Sequence, residues 1–544
     1  MLPGGLDDSR GAIVQSIVKE FEIDNLKIRD IVNHFVNQIK RGLQSKHSYQ
    51  IPSFVTQIPS GHEKGLFLAI DLGGTNCRVC AVNLHGDSTF DTFQKKHVVP
   101  SEIRVHATHK PLFRFIAAKI QEFLQEYVPE KSLGNIESEH TFNLGFTFSF
   151  TCEQTSISQG TVVHWDKGWD IPTALGRDPC ALLQDAIDEI NLPVKVCVLA
   201  NDAVGTLLTR AYTSTKKGSA LASIILGTGT NAAYVEHISN IQRLDVRPND
   251  TESHPKDEVM VINTEWGCWD DELAVLSHTQ YDKRVDETSS DPGCGLLEKM
   301  VSGMYLGELL RLALLEMMQR GALDMAFEKR SLVYQPTGIE TAFLTKVTAF
   351  RQDDSSALAY VAQSLAAEGV TSNDLFTIQT IASAIVRRSA RLVGGGLAAI
   401  LVQSGRLQVE RTAQKTGNMQ SVHEISQKPT QTQPIGFIAS FTRFIRHMCS
   451  CMAPGDTLPT TYDSPYDSKD TLGDLVSEDD VIDIAVDGSL FEFHAEFENL
   501  MRSVLRDIPE IGVHNESRLK IELTRDGSGT GAALIAAVAE GNTK

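Results

Sequence analysis

Asp71-Leu72-Gly73-Gly74-Thr75-Asn76-Cys77-Arg78 is the stretch whose reading decides the fold. Leu66-Phe67-Leu68-Ala69-Ile70 leads into it and Val79-Cys80-Ala81-Val82 leads out. Two short apolar runs joined by a Gly-Gly turn predict a β-hairpin. The glycines permit positive φ and close approach of a ligand. Successive N–H groups in such a turn form a nest for phosphate oxygens. Asp71, ending the incoming strand, is placed to hold a phosphate-bound Mg2+ through water. Taken alone, the turn reads equally well as an ordinary hairpin. A second stretch tips the balance. Ile224-Ile225-Leu226-Gly227-Thr228-Gly229-Thr230-Asn231-Ala232-Ala233-Tyr234-Val235 repeats the order of strand, Gly/Thr turn, Asn and strand. Two such turns in two halves predict a duplicated α/β fold closing on one nucleotide.

A chain of 544 residues is too long for one core and predicts at least two domains. Its 42% hydrophobic and 22% charged residues are those of a soluble globular protein. A formal net charge of -19 argues against nucleic acid or an anionic membrane as main partner, since both need clustered Lys/Arg. It leaves ATP open, which needs only a local patch. Neither a signal peptide nor a membrane-length apolar run is visible. The scattered cysteines suit a reducing compartment. Cys77-x-x-Cys80 lies inside a predicted strand and reads as core, not as a redox pair; Cys449 and Cys451 read as accessible.

Helical periodicity over 13–43 predicts two amphipathic helices. Helices are further predicted at 112–128, 173–190, 296–319, 373–403 and 532–540. Strands are predicted near 96–99 and at 142–150, 194–199, 259–263, 481–486 and 519–524, with 151–170 an irregular loop. The strand at 194–199 ends in Asn201-Asp202 and a helix follows, the place where open α/β sheets bind ligands. Residues 406–480, rich in Ser, Thr, Pro, Gln and Asp, read as a largely disordered insertion. Within it, 437–452 carries an apolar helical face beside Arg443, Arg446 and His447, a candidate partner or membrane-surface helix or one packed on its own domain.

Phosphoryl transfer to an alcohol needs a carboxylate for the proton, donors for the moving phosphoryl group and Mg2+ on the nucleotide. A sugar adds a need for fixed carboxylates and amides, because each hydroxyl both donates and accepts. Lys167, Asn201, Asp202, Asn231, Glu265 and Glu298 each lie beside a glycine turn or at an element end. Several long stretches then resemble the fungal-type hexokinases in their order along the chain. These are 72–78 and 226–232 for the phosphates, 144–150, 167–169, 263–267 and 298–308 for the sugar, and 486–489 and 526–529 for the adenosine region.

That resemblance implies an actin-like ATPase (ribonuclease H-like) fold of two lobes with a cleft between them. It divides the chain into N-terminal helices packing on the large lobe (1–64), a small lobe (65–200), a large lobe (201–527) carrying the insertion, and a C-terminal helix returning to the small lobe (528–544). It implies ATP and Mg2+ as cofactors, a hexose as substrate and a cytoplasmic location, with mitochondrial-surface or nuclear association left open. Asp202 would be the general base on the sugar 6-hydroxyl, with Lys167 beside it. Ser149, Phe150, Asp166, Asn201, Asn231, Glu265 and Glu298 would complete the sugar site. MgATP would be held by Asp71, Gly73, Gly74, Thr75, Asn76, Arg78, Gly227, Thr228, Gly229, Asp487, Gly488, Ser489, Gly527, Ser528 and Gly529, with the metal carried by ATP and Asp71 reaching it through water.

The chain departs from the family pattern at Thr151, Asp166, Ala203 and Gly293-Cys294-Gly295, where the family has Pro, Thr or Ser, Thr, and Gly-Gln-Gln. Three readings follow. The first is a kinase of glucose, fructose or mannose. The second is a kinase of a modified hexose such as N-acetylglucosamine, accommodated at Gly295. The third is a weakly active or inactive sugar-sensing regulator.

Overall fold

The structure, a computed structural model, describes residues 8–127, 141–165, 168–244, 258–351, 354–407 and 481–541. The expected insertion helix at 437–452 and the Cys449/Cys451 pair lie outside the described residues, as do Asp166 and Lys167.

The periodic N-terminal stretch forms two helices, α1 (Asp8–Glu20) and α2 (Asn25–Gln44), separated by the Asp24 cap, whose carboxylate accepts from Lys27 N at 2.8 Å. Their apolar faces, including Ile17, Phe21, Ile31, Phe35 and Ile39, are buried in the larger core. A two-residue strand β1 (Ile51–Pro52) follows.

The DLGGTN turn joins β2 (Lys64–Leu72) to β3 (Asn76–His85) as an antiparallel hairpin. With β4 (Phe90–Val98), helix α3 (Lys110–Tyr127) and β5 (Phe142–Phe148) it builds the small lobe. Residues 151–170, read as irregular, contain a ribbon instead: β6 (Cys152–Ser156) pairs antiparallel with β7 (Gln159–Val162). The helix expected over 173–190 begins late, as α4 (Pro179–Glu189). The Asp178 carboxylate caps Cys180 N at 3.0 Å and Pro179 opens the first turn. β8 (Val194–Ala200) completes a sheet of order β4-β3-β2-β5-β8. Its first three strands are antiparallel and its last two run parallel to β2.

The same plan recurs after the helix α5 (Asp202–Thr213). β9 (Ala220–Leu226), β10 (Thr230–His237) and β11 (Val259–Asn263) form an antiparallel meander. The helix expected over 296–319 is two, α6 (Leu296–Val301) and α7 (Leu306–Gln319). The interruption at 302–305 turns Gly303 N–H and Met304 N–H onto the carbonyls of Gly227 and Thr228 at 2.9 and 3.0 Å, so the break braces the second glycine turn. The long helix α8 (Ser372–Ser404), capped by a Thr371/Asp374 capping box, runs through the core. β12 (Ile482–Asp487), helix α9 (Phe497–Asp507) and β13 (Leu519–Leu523) follow. The large-lobe sheet has the order β1-β11-β10-β9-β12-β13, with β12 and β13 parallel to β9. Three antiparallel strands followed by two parallel ones, twice, is the duplicated topology of a two-lobed actin-like ATPase fold.

The last helix, α10 (Gly527–Gly541), starts at the glycines and not after them. Its glycines serve a helix crossing. A Cβ on Gly531 would lie 2.1 Å from the Cα of Gly205 in α5. The backbones of α5 and α10 therefore touch, and this pair sits between the two sheets. Cys77 and Cys80 are buried strand residues. Among the described residues, no helix is long and apolar enough to cross a membrane.

Candidate active site

Both glycine turns and the head of α5 open into one cavity of about 460 Å³. From the small lobe come Asp71, Gly73, Gly74, Thr75, Asn76, Arg78, Ser149 and Phe150. From the large lobe come Asn201, Asp202, Gly227, Thr228, Gly229, Asn231, Glu265 and Glu298, with Asp487 and Gly488 beyond, and Ser528 comes from the first turn of α10. Ser489, Gly527 and Gly529, expected at the nucleotide, are not among the lining residues. Ser489 already belongs to the next helix, Gly527 packs on Thr206 and Gly529 on the Cys80 sulfur. Thr151, Ile225, Thr230, Gly267, Cys268, Gly295 and Met304 also line the cavity.

At one end the side chains form a hydrogen-bonded polar cluster. Asn201 caps α5, its Oδ1 accepting from Ala203 N–H at 2.9 Å, and the same N–H reaches Asp202 Oδ1 at 2.8 Å. The carboxylate of Asp202 is thus oriented by the helix terminus. Asn231 Nδ2 donates to Asn263 Oδ1 at 2.9 Å and to Asn201 Oδ1 at 3.3 Å. Asn263 Nδ2 donates to Glu265 Oε1 at 2.8 Å. Glu298 Oε2 accepts from Thr230 N–H at 2.8 Å. Glu265 holds φ 47°, ψ 44°, a left-handed conformation that costs a non-glycine residue energy and that clusters at functional sites. Asn263 is buried and sets Glu265. Sequence reading placed it at the start of a matching segment but gave it no role, since no spacing rule marks a residue that acts through its neighbour.

At the other end lie the two glycine turns and the head of α10. Trp169 Nε1 donates to Gly74 O at 2.6 Å and Gly73 N–H to Asn76 O at 3.0 Å, which fixes the first turn. Gly488 has φ 141° and a Cβ there would lie 2.1 Å from Leu226 O, so only glycine lets β12 abut the second turn. Ser528, in the first turn of α10, donates to Asp71 Oδ2 at 2.9 Å. Helix N-termini favour anions. Arg78 lies 3.7 Å from Asp71 and 3.1 Å from Asp526. Asp71, Asp202, Asp487 and Asp526 concentrate negative charge around that guanidinium. Hard carboxylate oxygens beside a phosphate nest suit a nucleotide that arrives with a divalent cation.

Burial, reinforced by the charges of Asp202, Asp526 and Asp71 and opposed by Arg78, pushes the Asp487 carboxyl up from 3.8 to about 6. The folded protein therefore holds that proton more tightly than the unfolded chain. The stability this lends is complete below pH ~3.9, the usual carboxyl value, and is lost as pH rises through about 6. Asp487→Asn, a permanent mimic of the protonated form, should stabilise the nucleotide-free protein by about 2–3 kcal/mol at pH 8. At pH 4, where even the unfolded carboxyl is about half protonated, the gain should fall to a small fraction of that. Urea melts at both pH values check this; an equal gain at pH 4 would show that charge is not the cause.

Hexokinase family models match residues 13–212 and 221–538. The chain is 37% identical to a glucokinase of Aspergillus niger over 545 residues, covering 96% of each chain. It is 32% identical to Glucokinase-1 of Saccharomyces cerevisiae over 554 residues, with 97% of each covered. The chain belongs to the hexokinase family. A solved structure of the Schistosoma mansoni hexokinase complexed with glucose superposes with TM-score 0.72 at 28% identity, over 97% of this chain and 99% of that one. The two family models divide between α5 and β9, where the first copy of the sheet plan gives way to the second. A hexokinase phosphorylates a hexose at the expense of a nucleotide.

Proposed function

We propose that this hexokinase transfers the γ-phosphoryl group of ATP, taken as its Mg2+ complex, to the 6-hydroxyl of glucose, with Asp202 as general base. The observation that carries the reading is the position of Asp202. It stands at the head of α5, in the same cavity as the Asn201/Asn231/Glu265/Glu298 cluster and both glycine turns. Glu265 and Glu298 accept hydrogen bonds from the ring hydroxyls while the Asn201 and Asn231 amides donate, which fixes the ring. Asp202 takes the 6-hydroxyl proton as the oxygen attacks phosphorus. Arg78, the N–H groups of the turns at 73–75 and 227–229 and the first turn of α10 face the phosphates. Mg2+, when bound, would neutralise charge on the nucleotide oxygens, and Asp71 would hold it through water. Lys167 comes into this scheme by resemblance alone. The two-lobed cavity keeps water from competing with the sugar.

A panel of glucose, fructose, mannose, glucosamine and N-acetylglucosamine with MgATP tests the reading. Glucose is expected to be phosphorylated at the 6-position. Turnover on none of the five would overturn the assignment.

A modified hexose is the second reading, favoured by Gly295. This residue lines the cavity and a Cβ there would meet nothing within 4 Å, so the wall is open beside α6. Gly295 has φ 66°, a conformation that asparagine tolerates. Gly295→Asn should cut kcat/KM for N-acetylglucosamine about tenfold or more, the cost of ~1.4 kcal/mol or above, and leave glucose nearly unchanged. Equal effects on the two sugars, or no wild-type turnover of N-acetylglucosamine, would eliminate this reading.

A further inference from the structure

Outside the cavity the lobes meet at a second point. His164 follows β7 in the small lobe. Its Nε2 lies 3.1 Å from Oδ1 of Asp291, on the large-lobe loop that leads into α6. Neither residue lines the cavity.

Both partners are held from behind. Ser290 Oγ donates to Asp291 Oδ2 at 2.8 Å. The Asp291 carbonyl accepts from Lys299 Nζ at 2.7 Å, and the same ammonium donates to Asp286 at 2.7 Å. Asp286 also accepts from Gly293 N–H at 2.9 Å. Lys299 is only 4% exposed, so the loop closes on a buried cation, and that cation is the residue after Glu298. On the other side, Trp165 is buried next to His164. Its Nε1 donates to Ile171 O at 3.0 Å, and its ring stacks on Trp169 at 5.6 Å between centroids. Trp169 in turn holds Gly74 O in the first phosphate turn. Each partner is therefore rigidly joined to one wall of the cavity, His164 to the phosphate turn and Asp291 to Glu298.

We propose that His164 and Asp291 form a clasp between the lobes that holds the cavity closed over bound hexose and so raises its affinity. The proposal rests on the hexose-kinase reading above. The contact spans the two walls, so it exists only where they approach. By linkage it raises sugar affinity by whatever it adds to the closed form. A part-exposed polar contact is a modest contributor, so the effect belongs in affinity and not in the chemical step.

The test uses the full chain with His164→Ala, Asp291→Ala and the double variant, and reads glucose binding by intrinsic tryptophan fluorescence without nucleotide, alongside steady-state kinetics. Each single change is expected to raise Kd and KM for glucose about two- to fivefold, with KM for MgATP and kcat within about twofold. The double variant should be no worse than either single one. His164→Gln, which keeps an N–H donor, should restore most of the loss. Additive losses in the double variant, an unchanged glucose Kd in both singles, or a glutamine variant as weak as alanine would each overturn the clasp. Because the fluorescence titration needs no turnover, a protein that binds glucose but does not phosphorylate it would refute the functional reading and still test this one.

Discussion

Asp202→Asn should reduce kcat by about 10²–10⁴ while leaving glucose Kd within a few-fold of wild type, because removal of a general base typically costs that much. The substitution keeps size and shape. The Oδ1 that accepts from Ala203 N–H at 2.8 Å is retained, so the head of α5 need not move. Asn201, Asn231, Glu265 and Glu298 remain to hold the ring, and the phosphate turns lie on other elements. Only the ability to take a proton from the 6-hydroxyl is lost. The loss should therefore appear in kcat and kcat/KM together, the signature of an interaction made only in the transition state. Single-turnover phosphorylation and a fluorescence titration with glucose separate the two quantities. A kcat within threefold of wild type would remove Asp202 from the role of base and with it the mechanism above.

How far the sequence could be read depended on whether a feature was local. The two glycine turns announced themselves because strand, turn and strand are contiguous, and the hairpins stand at 64–85 and 220–237 with the turns where they were read. Asn201-Asp202 was legible for the same reason, as a strand end abutting a helix start. What escaped was tertiary. The periodicity of 296–319 contains no trace of the break at 302–305, because its cause is a pair of hydrogen bonds to a turn some 75 residues earlier in the chain. The β6–β7 ribbon was missed because polar residues alternate with too little apolar contrast to signal a strand. The last helix was expected only from 532, because the glycines at 527–531 are poor helix formers. In the fold Gly531 lets α10 touch α5 at Gly205, and packing overrides propensity. Asn263 and the left-handed Glu265 likewise acquire their meaning only from neighbours across the sheet.

The second large effect lies away from the cavity, where Arg388→Ala should destabilise the protein by about 3–5 kcal/mol at pH 7, because it strands a buried carboxylate. Arg388 lies mid-way along α8 and Asp282 on the helix Gln280–Glu287; each side chain is only 2% exposed. The guanidinium grips the carboxylate with both ends, at 2.6 and 2.7 Å, and its carbon sits 4.9 Å from the centre of the Phe21 ring, just past the end of α1. Thr279 adds a hydroxyl at 2.7 Å and an N–H at 2.9 Å to the same carboxylate. Burial alone would push the Asp282 carboxyl up, but Arg388 and Thr279 outweigh it and hold it below its ordinary value. With the folded value depressed, the stabilisation is present above the unfolded pKa of ~3.9 and is lost as pH falls through the folded one. Removing Arg388 takes away the largest of those favourable influences and leaves burial to dominate. The deficit of Arg388→Ala against wild type should therefore shrink as Asp282 is protonated in acid. Replacing both partners with apolar residues, Arg388→Met with Asp282→Leu, should recover much of the loss, because neither an unpaired charge nor a void remains. Urea denaturation of the single and double variants at neutral and acid pH decides the matter. A single-variant loss below about 1 kcal/mol at pH 7, or a double variant less stable than Arg388→Ala alone, would show that the pair is not what ties α1, α8 and the helix Gln280–Glu287 together.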